Sequence, residues 1–142
     1  MFGEGCFKSA ADYSAAAPIY QHGNVPDHFF QPFLWAKRAV DLGESSQKLL
    51  TAKGIDHYLV NIGHKQLFAT QGSKPSLQAC WCLEEVEKSF PETRSIELTQ
   101  RSLTEAMSFV GSLNDHRADC VPSKFCIKSL KDTLVDTVPG FW

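Results

Sequence analysis

The sequence predicts an α+β domain, or a closely related α/β one, with a small buried mixed sheet flanked by three or four helices. Three observations predict it. Trp35, Ala39, Leu42, Leu49 and Leu50 recur near helical spacing. Residues 58–62, from Tyr58 to Ile62, form a short and nearly all-apolar run, the pattern of a strand buried on both faces. Ser102-Leu103-Thr104-Glu105 is a capping-box pattern, and Leu103, Ala106, Met107, Val110 and Leu113 continue from it on one helical stripe.

The elements follow in chain order. Residues 1–32 are punctuated by Pro18, Pro26 and Pro32 and read as an extended N-terminal arm; residues 33–142 read as one domain. Residues 36–53 read as the central helix, with Lys53 and Gly54 as its stop. The strand at 58–62 turns at Gly63-His64 into a second strand at 66–69. A turn at 73–75 leads to a helix at 77–90, with Leu77, Cys80, Trp81 and Val86 inward and Pro91 as its end. A strand is expected at 95–99 and a helix at 103–113. Phe125 and Ile127 alternate as in a strand, and Leu130, Leu134 and Val138 suggest a final short helix closed by Pro139-Gly140.

Composition excludes several classes. The net charge is -2, from 14 basic and 16 acidic residues, and no basic run stands out, so nucleic acid is not an expected partner. No stretch of about 18 apolar residues occurs, so no membrane span is expected. The first 20 residues lack a basic start followed by a long apolar core, and they carry Glu4 and Asp12 but no Arg; neither a secretory signal nor a mitochondrial presequence is expected. The 5 cysteines, an odd number, are therefore expected to be free thiols in a reducing compartment, cytoplasm or mitochondrial matrix. Cys80-x-Cys82 and the pair Cys120 and Cys126 do not match zinc-knuckle spacing, and the 5 histidines show no metal-binding spacing. Phe29, Phe30, Phe33 and Trp35 form a dense aromatic cluster that suits either the core or a contact surface for a partner.

Residues 36–72 together read as an α-β-β unit, and this unit resembles the ApbE-type FAD:protein FMN transferases. Ala36-Lys37-Arg38-Ala39-Val40-Asp41 matches the family's helix start. Lys53-Gly54-Ile55 matches its Gly-Ile turn, and Leu59-Val60-Asn61-Ile62-Gly63 matches its glycine-ended strand. Residues 72–81 and His116-Arg117-Ala118-Asp119 resemble later family segments more loosely, so the matches cover about the middle half of the chain. The resemblance implies FAD and Mg²⁺ as cofactors, Lys37, Asp41, Gly63 and His116 as cofactor contacts, and Asp119 as the metal ligand. The family's second turn glycine and its acid are replaced by His64 and Lys65, and a proline is replaced by Cys120. A side chain blocks the close backbone approach that glycine permits. Family members are also longer, with an N-terminal part that has no counterpart here.

The resulting expectation is a degenerate domain of this family. It would lack a cofactor and act as a structural or accessory subunit through protein–protein contacts. Two enzyme readings stand beside it. One is a minimal FMN transferase using FAD and Mg²⁺. The other is a papain-like cysteine protease with Cys80 as nucleophile, His116 as base and Asp132 as orienting acid.

Overall fold

The computed structural model describes residues 6–21, 25–74, 80–115, 120 and 127–128. It is an α+β fold. Helices α1 (Ala10–Gln21), α2 (Pro26–Asp41) and α3 (Lys48–Asn61) come first, then strands β1 (Gly72–Ser73) and β2 (Cys82–Glu84), helices α4 (Glu92–Thr99) and α5 (Leu103–Asn114), and strand β3 (Ile127–Lys128).

Over residues 10–21 and 26–32 the expected N-terminal arm is helical instead. Pro18 lies inside α1 and Pro32 inside α2, and each removes one backbone donor. Burial outweighs that loss. Ala16, Ala17, Trp35 and Ala36 form a buried cluster, with Phe7, Tyr13, Tyr20 and Leu50 packed against it. Trp35 meets Phe7 and Tyr20 edge-on, with ring centroids 5.7 and 5.1 Å apart. Of the aromatic cluster, Phe29 and Trp35 are buried and Phe30 and Phe33 are partly covered, so core packing accounts for most of it.

The helix expected over 36–53 is two helices. Gly43 has φ +100, Gly43 N donates to Val40 O (2.9 Å) and Glu44 N donates to Ala39 O (2.9 Å). This is a Schellman ending, which needs a left-handed residue just past the helix. The Glu44 carboxylate then accepts from Ser46 N (3.3 Å) and Ser46 Oγ (2.6 Å), and a short 3₁₀ turn leads into α3. Gly54 does not stop a helix; it lies in the middle of α3.

α2 and α3 pair antiparallel. Phe33 lies against Gly54, Phe30 lies 5.0 Å from Tyr58, and Phe29 stacks at 3.9 Å on His57. The strand expected at 58–62 is thus the last turn of α3 and the residue that caps it. The apolar run suited a buried strand, but here it forms a half-covered helix face. Gly63, with φ +80, ends α3 as Gly43 ends α2: Gly63 N donates to Val60 O (3.1 Å) and His64 N to Leu59 O (2.8 Å).

The sheet is small and mixed, as expected, but its strands are others. β1 pairs antiparallel with β2 and β2 pairs parallel with β3. Every residue of β1 and β2 is buried. At 66–69 a single bridge, Gln66 to Val86, replaces the expected strand. The helix expected at 77–90 is not formed over the described part of that range, where β2 lies instead. The strand expected at 95–99 belongs to α4.

β2 is held from both edges, and Asn114 at the end of α5 extends the pairing. Its side chain accepts from Trp81 N (2.7 Å) and donates to Trp81 O (2.9 Å). α5 starts where expected. Ser102 Oγ accepts from Glu105 N (3.2 Å) and Glu105 Oε2 accepts from Ser102 N (2.7 Å). Ile127 of the expected alternation lies in β3, while Phe125 and the helix expected through Leu130, Leu134 and Val138 fall outside the described residues.

Candidate functional site

A dense polar construction joins Asp56 of α3 to the segment 66–71. Asp56 is fully buried. Its carboxylate accepts from Leu67 N (2.7 Å), Phe68 N (3.1 Å), Thr70 N (3.1 Å) and Thr70 Oγ1 (2.8 Å). Burial pushes its pKa up to about 6, against the opposing pull of these donors. Gln66, also fully buried, donates from Nε2 to Gln71 O (2.9 Å) and Glu84 O (2.7 Å) and accepts from Gln71 N (2.7 Å). Buried polar groups that are all satisfied in this way specify one conformation. They hold Ala69 at φ +55.

The braced segment forms one wall of a cleft of about 250 Å³. Leu49 and Lys53 of α3 form a second wall; Thr99, Arg101 and, from α5, Ala106 and Phe109 complete it. Lys53 is partly buried. Desolvation holds its ammonium pKa below the usual lysine value, and the charge of Arg101 adds to that shift. The Arg101 guanidinium lies 5.2 Å from the centre of the Phe109 ring. Its backbone is pinned by α4, since Thr99 Oγ1 accepts from Arg101 N (3.2 Å) just after the left-handed Gln100 (φ +54). Chemically, the cleft offers two cations, an aromatic face and aliphatic walls.

Of the residues expected to contact a flavin cofactor, Lys37 and Asp41 are adjacent and Gly63 lies apart from them. Lys37 donates to Asp41 at 2.8 Å, with the two side chains 54% and 47% exposed, so this is a surface i,i+4 pair. Gly63 sits at the far end of the α2–α3 hairpin. Roughly 13 residues of helix, or about 20 Å, separate its level from that of Lys37. The space around Gly63 is open, and its positive φ accounts for the glycine without a ligand. His64 beside it is exposed, and Lys65 pairs with Glu85 at 2.8 Å. His116, Asp119 and Asp132 lie outside the described residues. Lys37 and Asp41 are engaged with each other and lie well away from Gly63, and no step through flavin or Mg²⁺ follows from them.

The cysteines correct two expectations. Cys80 is disulfide-bonded to Cys120, with the Cα atoms 5.0 Å apart, and Cys82 is disulfide-bonded as well. Cys80 is therefore not the thiolate nucleophile that a protease needs. Cys6 is exposed. Free thiols were inferred from an odd count and the apparent lack of a signal, and neither records which cysteines the fold brings into contact.

Asp56, Gln66 and the Lys53–Arg101 cleft were not anticipated. The sequence reads Lys53 as a helix-end charge because Gly54 beside it looks like a stop, and nothing in it singles out Asp56. The available signal was Gly43, which follows Leu42 at the end of an apolar stripe. No family model matches the chain, and no curated protein or solved structure matches it either.

Proposed function

We propose that this chain is an accessory or structural subunit that works through protein–protein contacts, as a degenerate relative of the FAD:protein FMN transferases would. The observation that carries the reading is that Lys37 and Asp41 pair with each other on an exposed face of α2, at the other end of the helical hairpin from Gly63. A transferase needs its cofactor contacts within one site, since positioning is most of what such an enzyme supplies. Exposed apolar side chains such as Ile19, at 69%, are available for contacts. The Cys80–Cys120 disulfide supports work in an oxidising compartment, in place of the reducing one that free thiols implied.

The test has two arms. Purified protein is incubated with FAD, Mg²⁺ and a threonine-containing acceptor peptide, and intact mass is read. No FMN adduct is expected. An adduct that disappears in Asp119→Ala would overturn the accessory reading in favour of a minimal transferase. Cross-linking in the native source is the second arm, and a reproducible partner held at defined positions is expected. A chain that stays monomeric and yields no cross-link would count against the reading.

A further inference from the structure

We propose that a second groove, formed by the 66–71 segment, the chain that follows β2 and the starts of α4 and α5, binds a small organic cation. Its apolar body would lie on Leu67, Val86, Phe90 and Leu103, and its ammonium head would meet Ser95, Glu87 and Glu92. The inference is independent of the accessory reading, because a ligand groove is compatible with either outcome there.

The walls come first. The groove encloses about 270 Å³. Leu67, Val86, Phe90 and Leu103 line it and each is only half-buried, so an apolar body placed there would remove their surface from water. Hydrogen bonds tie the walls to one another. Gln66 N donates to Glu85 O (3.0 Å) and Glu87 N donates to Gln66 O (2.8 Å), which fixes the 66–71 segment beside the chain after β2. Phe68 meets Phe90 edge-on, with ring centroids 5.0 Å apart. From α4, Ser95 Oγ donates to Phe68 O (3.4 Å) and Glu92 Oε1 accepts from Leu103 N (2.9 Å). The groove is thus preformed, and preorganisation lowers the cost of binding.

The polar groups decide the head. Ser95 lines the groove and is 8% exposed. Its hydroxyl gives its proton to Phe68 O, and among the described residues nothing donates to its lone pairs. A buried acceptor of this kind suits an N–H donor. Glu87 and Glu92 line the same groove, and each engages neutral donors through Oε1. Glu87 takes Ser89 N (2.9 Å) and Ser89 Oγ (2.9 Å). Neutral donors leave the negative charge in place, and the Ser89 backbone N–H and hydroxyl hold the Glu87 carboxyl below the ordinary carboxylate range. Glu85 pairs with Lys65 (2.8 Å), so the balance in the lining is Glu87 and Glu92 against Lys88. A positive head is therefore favoured over a negative one. An ammonium supplies both N–H donors for Ser95 and charge for the carboxylates. The volume is slightly below the range typical of drug-sized sites, so the cation is small.

The experiment is titration of the whole chain with phenethylamine, phenethyl alcohol, hydrocinnamate and methylamine, followed by amide chemical shifts. The alcohol and the carboxylate keep the body and change the head; methylamine keeps the head and lacks the body. Saturable binding is expected for phenethylamine, tighter than for the other three probes, with shifts centred on Leu67, Val86, Ser95 and Leu103. Glu87→Gln keeps an acceptor for Ser89 and removes the charge. It should weaken phenethylamine binding by about threefold, the size expected of a partly exposed ion pair. Glu97→Gln removes the same charge from α4 outside the groove, where Glu97 pairs with Arg94 (3.6 Å), and should bind as wild type does. The proposal is overturned if phenethylamine does not saturate, if any other probe binds as tightly, or if the shifts centre elsewhere. It is overturned equally if Glu87→Gln has no effect or if Glu97→Gln has the same one.

Discussion

Gly54 of α3 lies directly against the backbone of Phe33 in α2: a Cβ on Gly54 would sit 2.7 Å from the Phe33 nitrogen and 3.0 Å from its Cα. The residue expected to end a helix is where the backbones of two helices come into close contact. Around it, Phe29 on His57 and Phe30 on Tyr58 set the antiparallel register. That register places Lys53 and Asp56 toward the 66–71 segment and keeps Gly63 far from Lys37.

Gly54→Ala should therefore destabilise the fold although alanine is the better helix former. The propensity gain is about 1 kcal/mol, and forced overpacking typically costs about 1–3 kcal/mol. Backbone cannot step aside as a side chain tip can, so the upper part of that range applies, and a net loss of about 1–2 kcal/mol is expected. Urea denaturation reads it directly. A variant as stable as wild type, or more so, would mean that the helices do not touch at this point.

Asp56 should give stability a specific pH dependence. Its carboxyl titrates at about 6 when folded, against 3.8 for the ordinary value, chiefly because burial penalises the charge. The folded state keeps its proton to higher pH than the unfolded state. The group's contribution is therefore complete below pH 3.8 and is lost as the pH rises through about 6. The loss is on the order of 3 kcal/mol at 1.36 kcal/mol per pKa unit. Unfolding free energies of wild type and Asp56→Asn should be measured across that window. The wild-type curve should fall relative to that of the variant, and parallel curves would show that Asp56 titrates normally. At neutral pH the variant should be less stable by about 1–3 kcal/mol, because an amide turns a donor toward donors.

Reduction should weaken the fold substantially. The Cys80–Cys120 bond spans a sequence separation of 40. Closing a loop of that length stabilises by roughly 4 kcal/mol in the chain-entropy description. Cys80→Ser with Cys120→Ser should lose about 2–4 kcal/mol. Alkylation of the unfolded, unreduced protein followed by peptide mapping should label Cys6 and leave Cys80, Cys82 and Cys120 unlabelled. Labelling of all three would restore the free-thiol view and the reducing compartment with it.

Ser102→Ala should cost about 0.5–2 kcal/mol through loss of the cap on α5. Glu105 N would lose its acceptor, and the Glu105 side chain would keep only its bond to the 102 backbone. The effect should be confined to α5, so amide exchange should quicken in residues 103–107 and stay slow in α3. Unchanged exchange at 103–107 would place the start of the helix elsewhere.

From the order of residues alone came the mixed α+β class, the start of α5 and the buried character of the small sheet. Each of these rests on local chemistry. The cap of α5 lies within four residues, Ser102 to Glu105, and needs nothing distant to form. The remaining elements depended on partners far along the chain. Residues 58–61 are helical because Tyr58 packs on Phe30 and His57 on Phe29, and a short apolar run is equally compatible with a strand. Cys82–Glu84 is a strand because β1 and β3 pair with its edges and Asn114 holds Trp81 beside it. α1 and α2 tolerate Pro18 and Pro32 because Ala16, Ala17, Trp35 and Ala36 bury against one another. The cleft depends most on the folded chain: Lys53, Thr70 and Arg101 share no spacing that marks a site. Asp56 draws the 66–71 segment onto α3 with long-range hydrogen bonds that local periodicity does not encode.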